Sequence, residues 1–398
     1  MNGLLMKTKS NLLAMFLGAL LLALPDVVNA QFTYTTNNDG SLNLSLYTGP
    51  GGAVAIPATT NGRPVTSIGA YAFLDYFDLT SVTIPNSVTN IAVYAFYDCT
   101  SLTAITVNIN NPAYSSLAGV LFNQNQTTLI LFPMGVAGTY TIPDRVTSIG
   151  EAAFFDCGSL TSVTIGTNVT CLGDFAFGNC ISLASVTLPN SVTNIGAYAF
   201  GDCGLTRVTI PNSVTSIGEE AFGICSSLTN VTISTNLTSI SDYAFEFCGL
   251  TSVTIPNSVT NIGSYAFYHC DRLWGIYFQG NAPSLGSSVF YADNDATVYD
   301  LPGTTGWATF DANSGLSPAV LWNPQAQTGD ASFGMKHNQF GFNITGSSDL
   351  VVVVEACTNL AHPVWCPVAT NTLTGGSSYF SDSECTNYPG RFYRLRSP

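Results

Sequence analysis

From Val65 to Cys270 apolar residues return in one fixed order with polar residues between them: Leu-x-x-Val-x-Ile-Pro-x-x-Val-x-x-Ile-Gly-x-x-Ala-Phe-x-x-Cys. The pattern is written eight times, beginning at Val65, Val88, Val146, Val169, Val192, Val214, Leu237 and Val259. Successive copies are 22 or 23 residues apart except for one step of 58, which holds an extra 35 residues. Within a copy, Val208-Thr209-Ile210 alternates as a half-buried strand does, and Pro211-Asn212-Ser213 ends it because proline cannot donate to a ladder. Gly196 permits a sharp bend into Ala197-Tyr198-Ala199-Phe200, which reads as a short helical turn. One such coil cannot bury its own apolar residues. Stacked coils can, so a period in the low twenties predicts a solenoid with continuous internal columns. Phe73, Phe96, Phe154, Phe177, Phe200, Phe222, Phe245 and Phe267 form one of these.

The repeated Leu-x-x-Val-x-Ile-Pro-x-x-Val-x-x-Ile-Gly-x-x-Ala-Phe-x-x-Cys resembles the bacterial surface-antigen (BspA-like) type of leucine-rich repeat, over about residues 65–300. The resemblance implies an α/β leucine-rich-repeat solenoid, rich in strand with short helical turns, on a secreted or surface protein. It further implies adhesion or protein binding, and it offers no catalytic residues to carry over.

The departures from the repeat set the domain plan. Residues 31–64 read as an N-terminal cap of short strands around Gly49-Pro50-Gly51-Gly52, and residues 65–303 as the repeats. Within 108–145, Gly119-Val120-Leu121-Phe122 and Thr128-Leu129-Ile130-Leu131-Phe132 flank a polar turn and predict an inserted β-hairpin. Residues 304–330 look like a linker, and 331–398 carry Phe340–Ile344, Leu350–Val354, Tyr379-Phe380 and Phe392–Leu395 as strands of a small all-β module.

Residues 1–30 have the order of a secretory signal: Lys7 and Lys9, an apolar run over Leu12–Leu24, then Val28-Asn29-Ala30, with cleavage expected after Ala30. That run is 13 residues, short of the roughly 20 that span a bilayer. The remaining chain has eight basic and 23 acidic residues. Nucleic acid is excluded as a partner, since phosphate recognition needs clustered Lys and Arg. Seven of the eleven cysteines share one slot of the repeat: Cys99, Cys157, Cys180, Cys203, Cys225, Cys248 and Cys270. Equivalent side chains in a stack lie about 4.8 Å apart, wider than the roughly 3.8 Å between Cβ atoms in a disulfide, which favours buried free thiols. Of Cys357, Cys366 and Cys385 in the module, Cys366 and Cys385 are the expected bridge.

An enzyme needs convergent titratable groups. His269, His337 and His362 are far apart, and Cys171 has no neighbouring histidine. Asp293-Asn294-Asp295 lacks the rest of a calcium loop, so no metal or other cofactor is expected. The outward strand positions are mostly Ser and Thr, from Ser81 and Thr83 to Ser252 and Thr254. They are broken by Arg207 and Tyr277, with Trp274 beside them. Interface anchors are commonly Trp, Tyr and Arg. Arg207, Trp274, Tyr277 and the insertion residues Leu121 and Phe122 are therefore the expected ligand-binding residues of a non-enzymatic protein that binds protein or glycan at the cell surface. A structural matrix component without a specific ligand is the alternative, and a solvating role for the hydroxyls stays open.

Overall fold

A computed structural model describes residues 31–293, 295–348 and 350–396 of the 398-residue chain. The expected signal segment lies outside the described residues. Each coil has three sides, illustrated by the one from Val192: a two-residue strand Asn194–Ile195, a turn segment, and the strand Arg207–Thr209. Both strand sets pair in parallel with their equivalents. Ile195 lies between Leu172 and Ile217, and Val208 beside Val231. Threonines stand along both strand columns with their hydroxyls turned to the backbone of the coil before. Thr193 Oγ1 reaches Thr170 O at 3.2 Å, and Thr229 Oγ1 reaches Thr206 O at 3.2 Å.

The turn segment is not helical. Tyr198 and Asp202 have φ of 55° and 54°, and equivalent left-handed residues recur in the other coils. This conformation costs a non-glycine residue about 1–2 kcal/mol, less for Asp and Asn. It is held because it points alternate N–H groups the same way. Tyr198, Phe200 and Asp202 donate to Glu219, Ala221 and Gly223 of the next coil at 2.8, 2.8 and 2.9 Å. The coils beginning at Val146, Val169, Val214, Leu237 and Val259 each make the same three bonds, and in the coil from Val65 the first is shifted by one residue, to the Tyr94 carbonyl. A helix would direct those donors back into its own coil. The helical turn expected from the sequence is thus replaced by a ladder between coils.

Behind that ladder the phenylalanine rings stack. Centroids from Phe154 to Phe177, Phe200, Phe222, Phe245 and Phe267 are separated by 4.7, 5.1, 5.3, 5.6 and 5.5 Å. Phe132 and Phe290 extend the column at its two ends. All seven repeat cysteines are buried free thiols. Each donates to the phenylalanine carbonyl one coil back, as Cys180 does to Phe154 O and Cys225 to Phe200 O at 3.1 Å. Burial pushes the Cys99 and Cys225 thiols up to about 12, so they remain S–H donors.

The insertion is a three-stranded antiparallel meander, Tyr114–Leu117, Val120–Asn123 and Thr128–Leu131, whose last strand continues the short-strand sheet. Leu121 and Phe122 are fully buried, which corrects their expected role as ligand contacts. Alternating along one strand, Leu121 enters the core of the first two coils and Phe122 the core of the later ones.

At the N-terminal end, Phe32–Thr36 and Leu42–Tyr47 pair and cover the first coil, with Tyr47 packed 5.2 Å from Phe73. At the other end the expected linker is structured. Helix Trp307–Ser314 buries Phe310 against Phe278, and Val320–Leu321 extends the sheet beside Thr297–Asp300. The C-terminal module follows as two antiparallel sheets. One pairs Gln325–Gln327, Gly334–Lys336 and Ser377–Asp382 with Gln339–Thr345. The other pairs Cys366–Thr372 and Phe392–Arg396 with Val351–Cys357.

Two acids sit where ionisation is costly. Asp293 follows Phe290 as Cys270 follows Phe267, so it fills the cysteine slot of the last coil. It is buried, and burial pushes it up to about 8 although the Cys270 backbone N–H near the carboxyl works the other way. In this slot a neutral acid can donate to the carbonyl one coil back, as the thiols do. A carboxylate can only repel it. Glu246 is also buried beside Glu220, and burial with that neighbouring carboxylate raises it to about 7.

Phe200→Ala should lower stability by about 3–5 kcal/mol in urea titration, because rings on both sides hold the gap open. A loss below about 1 kcal/mol would contradict the stack. Asp293 and Glu246 ionise in the unfolded chain near pH 4 but in the folded one only at about 8 and about 7. Their raised values stabilise the fold at low pH, and that contribution is lost as pH rises to 8. Urea midpoints at pH 5 and pH 8 should differ less for the double variant Asp293→Asn, Glu246→Gln than for the unaltered chain. The difference should be on the order of 2 kcal/mol.

Candidate functional site: a polar groove on the strand face

Outward side chains of the long parallel strands form two rows. Arg207 stands in register with Asn230, and Ser252 with Gly275 and Thr297. In the second row, Thr209 faces Thr232, and Thr254 precedes Tyr277 and Tyr299. Exposure falls toward the C-terminal end. Asn230 and Thr232 are open, Ser252 and Thr254 half-buried, and Tyr277 and Tyr299 buried.

The C-terminal module causes this gradient. Tyr277 and Tyr299 stack at 4.7 Å and pack with Phe342, Ile344, Leu350 and Val352 of the module. Tyr277 is therefore a docking residue for the chain's own module, which corrects the expectation that it meets a ligand. Burial raises its phenol strongly, so the hydroxyl stays neutral. Trp274 remains half-exposed, edge-on to Tyr277 at 6.3 Å. Arg207 is exposed as expected.

Beside the docked module runs an open groove of about 960 Å³, counted to its mouth. Its floor holds Asn230, Thr232, Ser252, Thr254 and Gln279, and Arg396 from the last module strand lines its wall. Arg396 is set by Glu355, whose Oε1 accepts its Nε at 2.6 Å while Oε2 accepts Arg394 Nε at 2.7 Å. Burial alone would raise the Glu355 carboxyl. The bonds from Arg396 and Arg394 outweigh it and hold the acid below its usual range. Arg394 also lies 4.5 Å over the Trp365 ring. The groove can thus offer hydroxyls, amides and a pre-oriented guanidinium, with Arg207 one strand beyond Asn230.

Sequence reasoning reached Arg207 but missed Arg396, Glu355 and Gln279, which join the site only when the module folds onto the repeats. A signal was present: Tyr277 and Tyr299 stand where other coils put threonine, so a cover over the last coils could have been read. The remaining expected sites do not converge. Cys366 and Cys385 are free thiols and the expected bridge is not formed. Cys366 is exposed, whereas Cys385 Sγ accepts the Phe340 N–H at 3.1 Å. His269 bonds Asp271 at 3.1 Å and stacks on Phe247, as a turn residue would. Among the described residues no helix is long and apolar enough to cross a membrane.

Residues 136–204 and 193–306 match the profile described as "BspA type Leucine rich repeat region", in six copies. No curated protein matches the chain. Solved structures similar to it include the pneumococcal vaccine antigen PcpA, at 21% identity over 66% of this chain and 61% of that one, with a TM-score of 0.46. A leucine-rich cell surface protein from Faecalibacterium prausnitzii is 27% identical over 72% of this chain and 97% of its own, with a TM-score of 0.36. A leucine-rich repeat protein from Eubacterium ventriosum is 28% identical over 55% and 64% of the two chains, with a TM-score of 0.45. The chain therefore spans less than two thirds of the length of PcpA and of the Eubacterium protein. Over residues 136–306 the repeat array, with its period, phenylalanine column and cysteine slot, is a BspA-type leucine-rich repeat region.

Proposed function

We propose that this is a secreted or cell-surface binding protein, not an enzyme, which holds an acidic glycan in the groove between its strand face and its C-terminal module. The observation that carries the reading is the groove's composition. A floor of Asn230, Thr232, Ser252, Thr254 and Gln279 suits the hydroxyls of a sugar chain. Arg396 and Arg207, two of the ten basic residues in the chain, suit its carboxylate or sulfate groups. On a chain of net charge −14, such a local positive spot also selects where an anion can approach. Export rests on the signal-like order of residues 1–30 and on the surface character of the repeat family.

Calorimetric titration with uronic-acid and matched neutral oligosaccharides tests the reading. The acidic set should bind more tightly and more weakly at high salt. Arg207→Ala should weaken it about tenfold, roughly 1.4 kcal/mol, without lowering the urea midpoint. Equal binding of the neutral set, or an unchanged affinity in Arg207→Ala, would overturn the assignment. Sedimentation showing self-association with no glycan binding would favour a structural matrix role. On expression in a secreting host, N-terminal sequencing of the exported protein should begin at Gln31.

A further inference from the structure

The turn-face ladder is breached at one place inside the array. In the coil beginning at Val88 the donors equivalent to Tyr198, Phe200 and Asp202 are Tyr94, Phe96 and Asp98. Among the described residues no carbonyl takes their N–H groups. The insertion stands between this coil and the one beginning at Val146. It supplies one rung, Phe132 N–H to Ala153 O at 2.7 Å. On the far rim the Glu151 carbonyl accepts no backbone donor, although its equivalent Asp174 takes the Ala152 N–H at 2.9 Å. The two rims stand apart around that single rung.

A cleft of about 510 Å³, counted to its mouth, opens there. Its apolar wall includes Tyr94, Tyr97, Ile130, Met134 and Phe155. Rings from the two rims meet across it, Phe155 lying 5.9 Å from Tyr97 and 5.8 Å from Tyr94. Glu151 is the charged residue in the lining, and it is exposed at the mouth. Further carboxylates surround the rings. Burial first, then Glu151 and Asp174, raise the Tyr94 phenol; burial, then Asp156 and Asp98, raise that of Tyr97. Asp98 and Asp156 are themselves raised, by burial and by their acidic neighbours Asp75 and Asp98 respectively. No basic residue lines the cleft.

We propose that this breach is a binding site for a small organic cation, an ammonium group on a short apolar stem. The stem fills the apolar wall between the rims. The ammonium lies at the mouth, against the Glu151 carboxylate and carbonyl and over the electron-rich faces of Tyr97 or Phe155. Charge complementarity chooses this occupant: an anion would meet Glu151 at the mouth, with Asp98 and Asp156 close behind the Tyr97 ring, and a neutral apolar molecule would gain nothing from the Glu151 carboxylate. The site is on the turn face and is independent of the groove on the strand face.

Calorimetric titration of the full chain with hexylamine, 1-hexanol and hexanoate tests it, since the three share a stem and differ in head charge. Hexylamine should bind at least tenfold more tightly than hexanol, and hexanoate more weakly than either. Glu151→Gln alters an exposed residue, and its urea midpoint should match that of the unaltered chain; it should bring hexylamine down to the affinity of hexanol. Phe155→Ala should weaken all three probes. Hexylamine binding no more tightly than hexanol, unaltered hexylamine binding by Glu151→Gln, or no binding of any probe would each overturn the proposal.

Discussion

The hydrogen bonds between turn segments are the interaction on which the rest of the molecule depends. Every coil holds two residues in the left-handed region, as Tyr198 and Asp202 are, and this sends alternate N–H groups toward the next coil. In the coils that make all three, these bonds contribute about 0.5–1.5 kcal/mol each, which offsets the backbone cost of the two left-handed residues. They also fix the separation between coils, and that spacing lets the phenylalanine rings stack at about 5 Å and each thiol reach a carbonyl one coil back. The threonine columns follow from the same spacing, since a short hydroxyl can reach the preceding carbonyl only if the coils stay in register.

The two cavities lie where this regularity stops. The insertion of residues 108–145 interrupts the turn ladder, and on the short-strand face its last strand joins the sheet of the later coils while Asn90–Ile91 pairs with Arg63–Ile68 in a separate sheet. At the C-terminal end, tyrosines replace threonines on the strand face and give the module an apolar place to sit. That docking makes a wall beside a surface that would otherwise be an open bed of hydroxyls. In both places the cavity comes from a change of neighbour, and the side chains of the regular coils on its edge are unaltered in kind.

The solenoid, its phenylalanine column and the strand-rich module were legible in the sequence because each rests on a period that repetition averages. The free-thiol ladder was legible too, since the distance between stacked equivalents could be weighed against disulfide geometry. The turn segment was not. Tyr198 carries no sign of a positive φ, which the inter-coil bonds impose from outside. Leu121, Phe122 and Tyr277 read as exposed anchors because a single chain gives no account of what later folds over them. The helix Trp307–Ser314 looked like linker for a related reason: it is only eight residues long, and Trp307 and Phe310 become core contacts only by packing on Phe278 of the last coil. Arg396 entered the groove by tertiary docking across 142 and 117 residues of sequence from its floor at Thr254 and Gln279.

The turn ladder also has a direction. In each coil its donors face the C-terminal neighbour and its acceptors the N-terminal one. Any two regular coils therefore present the same pair of edges, and a unit of 22 or 23 residues can be duplicated or deleted between them with every bond re-formed. The two ends of the array are not interchangeable, since one is an edge of carbonyls and the other an edge of amides. A lineage carrying this gene can thus lengthen or shorten its reach by recombination among near-identical repeats, while the caps, the insertion and the docked module stay as fixed landmarks.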